Sequence, residues 1–70
     1  MEHIIKVTII NQLMGLEVND YLHVGETTIV RTTDGYAVCD NGEEINVVEV
    51  WRALELAIEN EEARLSRQEA

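Results

Sequence analysis

The sequence has few basic residues, and this shortage excludes two classes of partner. It contains 5 lysines and arginines against 14 aspartates and glutamates, which gives a formal net charge of -9 in 70 residues. Nucleic acids and anionic membranes are negatively charged and attract proteins through Lys and Arg. We therefore expect no direct binding to nucleic acid or to a membrane, and a natural partner that is basic.

Cysteine is nearly absent as well. Cys39 is the single cysteine, so the chain cannot form an internal disulfide, and this fits a reducing cytoplasm. The N-terminal residues lack the basic and apolar regions of a secretion signal, and no apolar run approaches the length of a membrane span. These absences predict an intracellular, cytoplasmic protein.

The chain also lacks proline, linkers, repeats and low-complexity tracts. We therefore expect a single domain over residues 1–70, frayed only at residues 66–70. Trp51 and two tyrosines are the only aromatic residues, so the core of such a short chain must be thin. Pairing into a homodimer would complete this core, and we expect it.

The longest one-sided apolar pattern covers residues 46–67 and predicts a helix. Its apolar residues recur at spacings of three and four, as on one helix face; they are Val47, Val50, Trp51, Leu54 and Ile58. Asn46 is a good N-cap, and Glu49 can complete a capping box. Because Trp51 is the largest side chain of this stripe, we expect its truncation to cost about 3 to 5 kcal/mol.

The first half of the chain predicts strands. Residues 3–10 are almost all β-branched or apolar, which favours a strand over the competing helix. Residues 11–16 then connect to a meander, and their Leu13 and Met14 are expected in the core. Three turn signals punctuate the meander; they are Gly25-Glu26, Asp34-Gly35 and Asn41-Gly42. The sequence therefore predicts an α+β fold, with an antiparallel sheet of four or five strands and one C-terminal helix packed across it.

The strand register follows from the middle turn. If Asp34-Gly35 is a two-residue turn, Thr33 lies opposite Tyr36 and Val30 lies opposite Cys39. We expect one face of this hairpin to look inward; its residues are Thr28, Val30, Ala37 and Cys39.

No residue pattern identifies an enzyme, a metal site or a cofactor site. His3, His23 and Cys39 lack the spacing of known metal ligands, and Cys39 has no recognisable catalytic partners. Residues 40–44 resemble part of a calcium loop but lack its spacing, and a hairpin turn explains them. We expect a non-enzymatic protein without metal or cofactor, in which Cys39 is a small buried hydrophobe.

The acidic residues are concentrated near the predicted helix. Glu55, Glu59 and Glu62 fall at spacings of four and three, which places three carboxylates in one row. They rise by about 6 and 4.5 Å along a helix, while each DNA strand carries one charge per roughly 3.4 Å. One interpretation is a solvated helix face that keeps the protein soluble. The other is a surface that imitates the phosphate backbone.

A second acidic line is expected at the hairpin turns, formed by Asp34, Asp40, Glu43 and Glu44. It could represent the other DNA strand. The candidate partner-binding residues are therefore Asp34, Asp40, Glu43, Glu44, Glu49, Glu55, Glu59, Glu61 and Glu62.

In size, acidity and the plan of a short sheet plus one helix, the chain resembles the small acidic phage proteins that imitate DNA. The resemblance spans the whole chain and depends on composition and on the glutamates between Glu43 and Glu62. It implies a phage protein that occupies the DNA-binding surface of a host protein, in the host cytoplasm. Inhibitors of the nucleoid protein HU are the nearest likeness; other such proteins block uracil-DNA glycosylase, restriction enzymes or RNA polymerase.

Two other functions also fit the sequence. An antitoxin-like or regulatory module would dock through an apolar surface, and its binding would respond little to salt. A self-assembling structural protein would show a concentration-dependent size and would have no partner.

Overall fold

The computed structural model describes residues 2–69, with side chains described from residue 5 to residue 67. The elements in chain order are α1 (Glu2–Met14), β1 (Tyr21–Val24), β2 (Thr27–Arg31), β3 (Tyr36–Asp40), β4 (Glu43–Val47) and α2 (Val50–Glu69). The four strands pair antiparallel in the order β1-β2-β3-β4. The predicted α+β fold, a four-stranded meander with a C-terminal helix packed against it, is confirmed.

The predicted strand at residues 3–10 is wrong, because this segment is part of helix α1. β-branched residues cost a helix only a few tenths of a kcal/mol each, and tertiary packing outweighs that preference. Here Ile9, Ile10 and Leu13 lie on one side of α1 and pack into the core, as expected for Leu13. Met14 was also expected in the core but is 61% exposed.

Two of the three predicted turns are confirmed. Gly25 has φ 63° at the first position of the β1-β2 turn, and Glu26 has no positive φ, as in a type II′ turn. Asn41 and Gly42 both have positive φ, 50° and 84°, as a type I′ turn requires between β3 and β4.

The third turn differs from the prediction. Tyr36 pairs with Arg31 and not with Thr33, so the loop has four residues, 32–35. Within this loop, Thr32 N–H donates a hydrogen bond to the carbonyl oxygen of Gly35 at 2.9 Å. A Cβ at Gly35 would lie 2.3 Å from the carbonyl oxygen of Val47, so this glycine is needed where the loop meets β4.

The inward face was also predicted wrongly. Ile29, Tyr36 and Val38 are the residues that pack in the core with both helices. Because side chains alternate along a strand, the residues predicted inside lie on the open face, away from the helices; they are Thr28, Val30, Ala37 and Cys39. Cys39 is therefore only partly buried.

Helix α2 begins later than predicted. Its predicted apolar stripe packs on the core except at Trp51, since Leu54 is buried and Val50 and Ile58 pack against the core cluster. Asn46 belongs to β4 and not to the start of the helix. The first helical hydrogen bond runs from Ala53 N–H to the carbonyl oxygen of Glu49, at 3.1 Å. The predicted capping box of Asn46 and Glu49 therefore does not form. The buried stripe is Ala53, Leu54 and Ala57, whereas Trp51 is 47% exposed. Small alanines let the helix backbone approach the sheet, and a tryptophan on that face would hold it away. The helix extends to Glu69, so residues 66–69 are helical, and Ala70 lies outside the described residues.

One core cluster joins both helices to the two central strands. It consists of Ile10, Leu13, Ile29, Tyr36, Val38, Ala53, Leu54 and Ala57. The hydroxyl of Tyr36 donates to the carbonyl oxygen of Leu13 and so links the end of α1 to the sheet. Over residues 2–69, neither helix combines the length and apolarity needed to cross a membrane.

Candidate functional site

The solvent side of α2 carries the predicted carboxylate row. Glu55, Glu59 and Glu62 are all exposed, and their spacings of four and three keep them on one face. None of the three forms an ion pair with any other side chain between residues 5 and 67. They are therefore available to a partner, at axial separations of about 6 and 4.5 Å.

Trp51 belongs to the same surface, although the sequence pattern placed it in the core. It lies one turn before Glu55 on the exposed face of α2 and leaves 47% of its surface open. The sequence contained one indication of this exposure. On a helix, Trp51 falls at the edge of the apolar stripe, beside the charged residues Arg52 and Glu55. We call Trp51, Glu55, Glu59 and Glu62 the acidic-aromatic face.

Glu61 points to the opposite side of α2 and holds the helix on the sheet. Its carboxylate accepts hydrogen bonds from Thr27 Oγ1 at 3.0 Å and from the backbone N–H of Glu26 at 3.4 Å. Burial acts to raise the pKa of Glu61, but the hydrogen bonds from Arg64, Thr27 and Glu26 outweigh it and lower this pKa below its usual value.

Arg64 connects α2 to two hairpin turns. Its Nε lies 2.8 Å from Glu26 Oε2, its Nη2 lies 2.5 Å from Asp40 Oδ1, and its Nη1 contacts Glu61. The side chain of Arg64 is only 17% exposed, and those of Asp40 and Glu61 are 19% and 25% exposed, so these two pairs are shielded better than pairs on an open surface. Glu26 is 75% exposed, so its pair with Arg64 is open to solvent. Asp40 and Glu61, both predicted to bind a partner, are thus engaged inside the molecule.

The second predicted acidic line is not continuous. Asp34 lies in the β2-β3 loop, whereas Asp40, Glu43 and Glu44 lie around the β3-β4 turn, at the other end of the sheet. Glu43 and Glu44 are successive strand residues and point to opposite faces. Glu44 lies on the open face, where its Oε1 is 3.7 Å from Cys39 Sγ. Burial and this carboxylate together raise the pKa of the Cys39 thiol.

The remaining predicted residue, Glu49, is exposed immediately before α2. An open groove of about 630 Å³ lies beside Arg64, with charges of both signs and the apolar Val38 and Ile45 in its lining. Between residues 5 and 67, no group of three or more His, Cys, Asp or Glu side chains is arranged to hold a metal ion. The side chain of His3 lies outside the described residues.

The described surface therefore presents a row of carboxylates beside one aromatic ring on the solvent side of α2. Comparisons with protein-family models, with curated proteins and with solved structures find no match to this chain.

Proposed function

We propose that the chain is a non-enzymatic inhibitor that imitates the DNA backbone and occupies the DNA-binding surface of a basic host protein in the cytoplasm. The observation that carries the proposal is the exposed row of Glu55, Glu59 and Glu62, which forms no ion pair with the side chains of residues 5–67, on a helix fixed to the sheet. A surface that binds phosphates contains Lys and Arg, and these groups bind carboxylates through the same charge-assisted hydrogen bonds.

Charge supports this proposal through the rate of association. With a net charge of -9, the chain attracts a basic surface before contact and orients its approach. Each exposed ion pair then adds only about 0.2 to 1 kcal/mol. Binding by this route requires several pairs at once, as a row provides, and weakens as salt screens the charges.

Trp51 adds a contact that phosphate imitation alone lacks. An exposed tryptophan attracts Lys and Arg through its ring face, and tryptophan is enriched among the residues that dominate binding energies. Its position one turn from Glu55 lets a single basic side chain contact both the ring and the carboxylate. The acidic-aromatic face therefore suits a Lys- and Arg-rich surface better than a row of glutamates would.

The Arg64 cluster supports the proposal by holding the row in place. Arg64 and Glu61 attach the C-terminal half of α2 to the β1-β2 and β3-β4 turns, on the side opposite Glu62. A helix fixed in this way presents its carboxylates at constant spacing, which lowers the entropy lost on binding.

The test is capture of partners from a bacterial lysate, followed by mass spectrometry and affinity measurements on the captured protein. We expect a basic DNA-binding protein, with HU as the first target to examine, and binding that weakens steeply with salt. Replacing Glu55, Glu59 and Glu62 together by Gln should weaken binding by about tenfold. The matched control, Glu2→Gln with Glu17→Gln and Asp20→Asn, removes the same charge from residues outside the candidate partner-binding set.

The two triple variants separate geometry from charge. Equal losses of affinity in both would mean that only net charge matters, and no loss in either would mean that the row is merely solvated. Binding that does not respond to salt would instead indicate docking through an apolar surface.

A further inference from the structure

Strand β4 is an open edge of the sheet. The strand order β1-β2-β3-β4 leaves its outer side without a neighbouring strand in the described chain. The two-residue turn at Asn41-Gly42 makes Glu43 a hydrogen-bonded partner of β3, and this bonding alternates along the strand. Glu43 and Ile45 therefore bond to β3. The N–H and C=O groups of Glu44 and Asn46 point outward instead, and no group among residues 2–69 bonds to them.

An apolar side chain is left uncovered beside this edge. Ile45 points to the helix side of the sheet, yet it is 46% exposed, because α2 packs mainly on β2 and β3 and does not cover β4. The open groove of about 630 Å³ lies in this gap, with Val38 and Ile45 in its lining and Asn60 and Arg67 on its helix side. A strand added to β4 would lie about 4.8 Å away and could place an apolar side chain in the groove.

The exposed charges around β4 are mainly acidic. Glu43 and Glu44 lie at the start of the strand, and Asp34 and Glu49 lie near its end. None of these four carboxylates forms an ion pair with a side chain between residues 5 and 67. Arg67, on the helix side of the groove, is exposed and basic. The edge therefore repels a second copy of β4, which carries the same glutamates, and attracts an extended segment rich in Lys or Arg.

We infer that β4 is a docking site for an extended basic segment of a partner protein, which adds to the sheet as a fifth strand. The main chain of this segment bonds to the outward groups of Glu44 and Asn46, as in other complexes formed by strand addition. Because side chains alternate along a strand, apolar residues of the segment pack on Ile45 on the helix side, and basic residues meet Glu44 on the open face. The inference goes beyond the proposed function, because this site shares no residue with the acidic-aromatic face.

The test uses the isotope-labelled full chain and a peptide of alternating Lys and Val, about eight residues long, with blocked ends. Nuclear magnetic resonance measures amide hydrogen exchange with and without the peptide. With the peptide at about ten times its dissociation constant, exchange at Glu44 and Asn46 should slow by about tenfold, since only the free chain exchanges there. Exchange at Glu43 and Ile45 should change little, because these residues already bond to β3.

Two N-methylated versions of the peptide separate strand addition from attraction of charge. One carries its methyl groups on the main-chain nitrogens of Lys and the other on those of Val, in equal number, so both keep the charge of the parent peptide. Only alternate N–H groups of a strand face a given neighbour, so one version keeps the groups that face β4 and the other loses them. We expect the first to bind like the parent peptide and the second to bind at least about tenfold more weakly. Equal affinities of the two versions would contradict the inference.

A variant of the chain tests the same edge. Asn46→Pro removes an outward N–H and leaves the bonds to β3 in place, and edge strands tolerate proline at such positions. It should weaken binding of the peptide by about tenfold. The control, His23→Pro, removes the equivalent outward N–H from β1, the other edge strand, and should bind the peptide like the wild type.

The exchange measurement on the wild-type chain decides the inference even if a proline variant unfolds. Unchanged exchange at Glu44 and Asn46 in the presence of the peptide would overturn it. So would protection of both residues that grows with the concentration of the chain alone, since the occupant would then be a second copy. Resonance shifts confined to Glu55, Glu59 and Glu62 would place the basic peptide on the acidic-aromatic face, which overturns this inference and leaves the proposed function standing.

Discussion

Trp51 and Leu54 lie three residues apart on α2 in opposite environments. Trp51 is 47% exposed, and Leu54 is 1% exposed. We expect Leu54→Ala to lower the free energy of unfolding by about 2 to 5 kcal/mol, because it leaves a cavity in the core. Trp51→Ala should cost less than about 1 kcal/mol, as at most surface positions, and should weaken partner binding.

Urea denaturation followed by far-UV circular dichroism measures both variants, since Trp51→Ala removes the only tryptophan signal. Equal losses of stability in the two variants would place Trp51 in the core and remove it from the acidic-aromatic face.

The error over Trp51 has a specific cause. The spacing of apolar residues in α2 predicts a helix, but its buried side depends on which residues fit against the sheet. Ala53 and Ala57 occupy that side together with Leu54. Hydrophobicity alone ranks tryptophan above alanine, whereas close approach of two backbones favours alanine. The sequence pattern contains no information on that distance.

Glu61 predicts a pH dependence with a definite sign. Its folded-state pKa is lowered from the ordinary value of 4.5, so its contribution to stability is complete above about pH 4.5 and is lost as pH falls through the folded-state pKa. We expect Glu61→Gln to remove that part of the acid dependence.

The measurement is the difference in free energy of unfolding between wild type and Glu61→Gln from pH 6 to pH 3. It should shrink as pH falls, even if protonation of the other carboxylates relieves repulsion in both proteins. A difference that stays constant over this range would show that the contacts of Glu61 do not lower its pKa.

At the scale of elements, Arg64 acts as a clamp between α2 and the sheet. Removing its charge releases Glu26, Asp40 and Glu61 at once, so Arg64→Gln should increase amide hydrogen exchange in residues 60–67. The control is Arg52→Gln, an exposed arginine of α2 that pairs with no carboxylate in the described part of the chain. Similar exchange in both variants would mean that the apolar stripe alone holds the helix.

Elements set by local chemistry were predictable, and those set by distant contacts were not. The β1-β2 and β3-β4 turns follow from Gly25 and from Asn41-Gly42, whose positive φ values the turn types require. In the sequence, Gly35 also looks like the glycine of a two-residue turn. In the structure a glycine is required there because a Cβ would collide with the backbone of Val47 in β4. No local rule reveals that contact, and the hairpin register was therefore displaced.

Helix α1 shows the same limit. Its residues favour a strand locally, yet Ile9, Ile10 and Leu13 form a helical stripe once α2 and the sheet are present. Of the candidate site, the sequence correctly predicted that Glu55, Glu59 and Glu62 share a helix face. It missed that Asp40 and Glu61 are engaged by Arg64, since this cluster joins residues from three parts of the chain.

At the scale of the whole molecule, one property should give two opposite responses to salt. The net charge of -9 opposes compaction, so salt that screens it should stabilise the folded chain. The same screening should weaken a complex with a basic partner. We expect the urea midpoint to rise between low and high salt while affinity falls; a parallel fall in both would mean that salt weakens binding by unfolding the chain.

The most direct measurement of the central claim is competition between this chain and labelled duplex DNA for the captured basic protein. If the acidic-aromatic face imitates DNA, the chain displaces the DNA completely, no ternary complex forms, and the Glu55, Glu59 and Glu62 to Gln variant needs about tenfold higher concentration. A stable ternary complex of the chain, the protein and DNA would contradict the claim, because the two ligands would then occupy different surfaces.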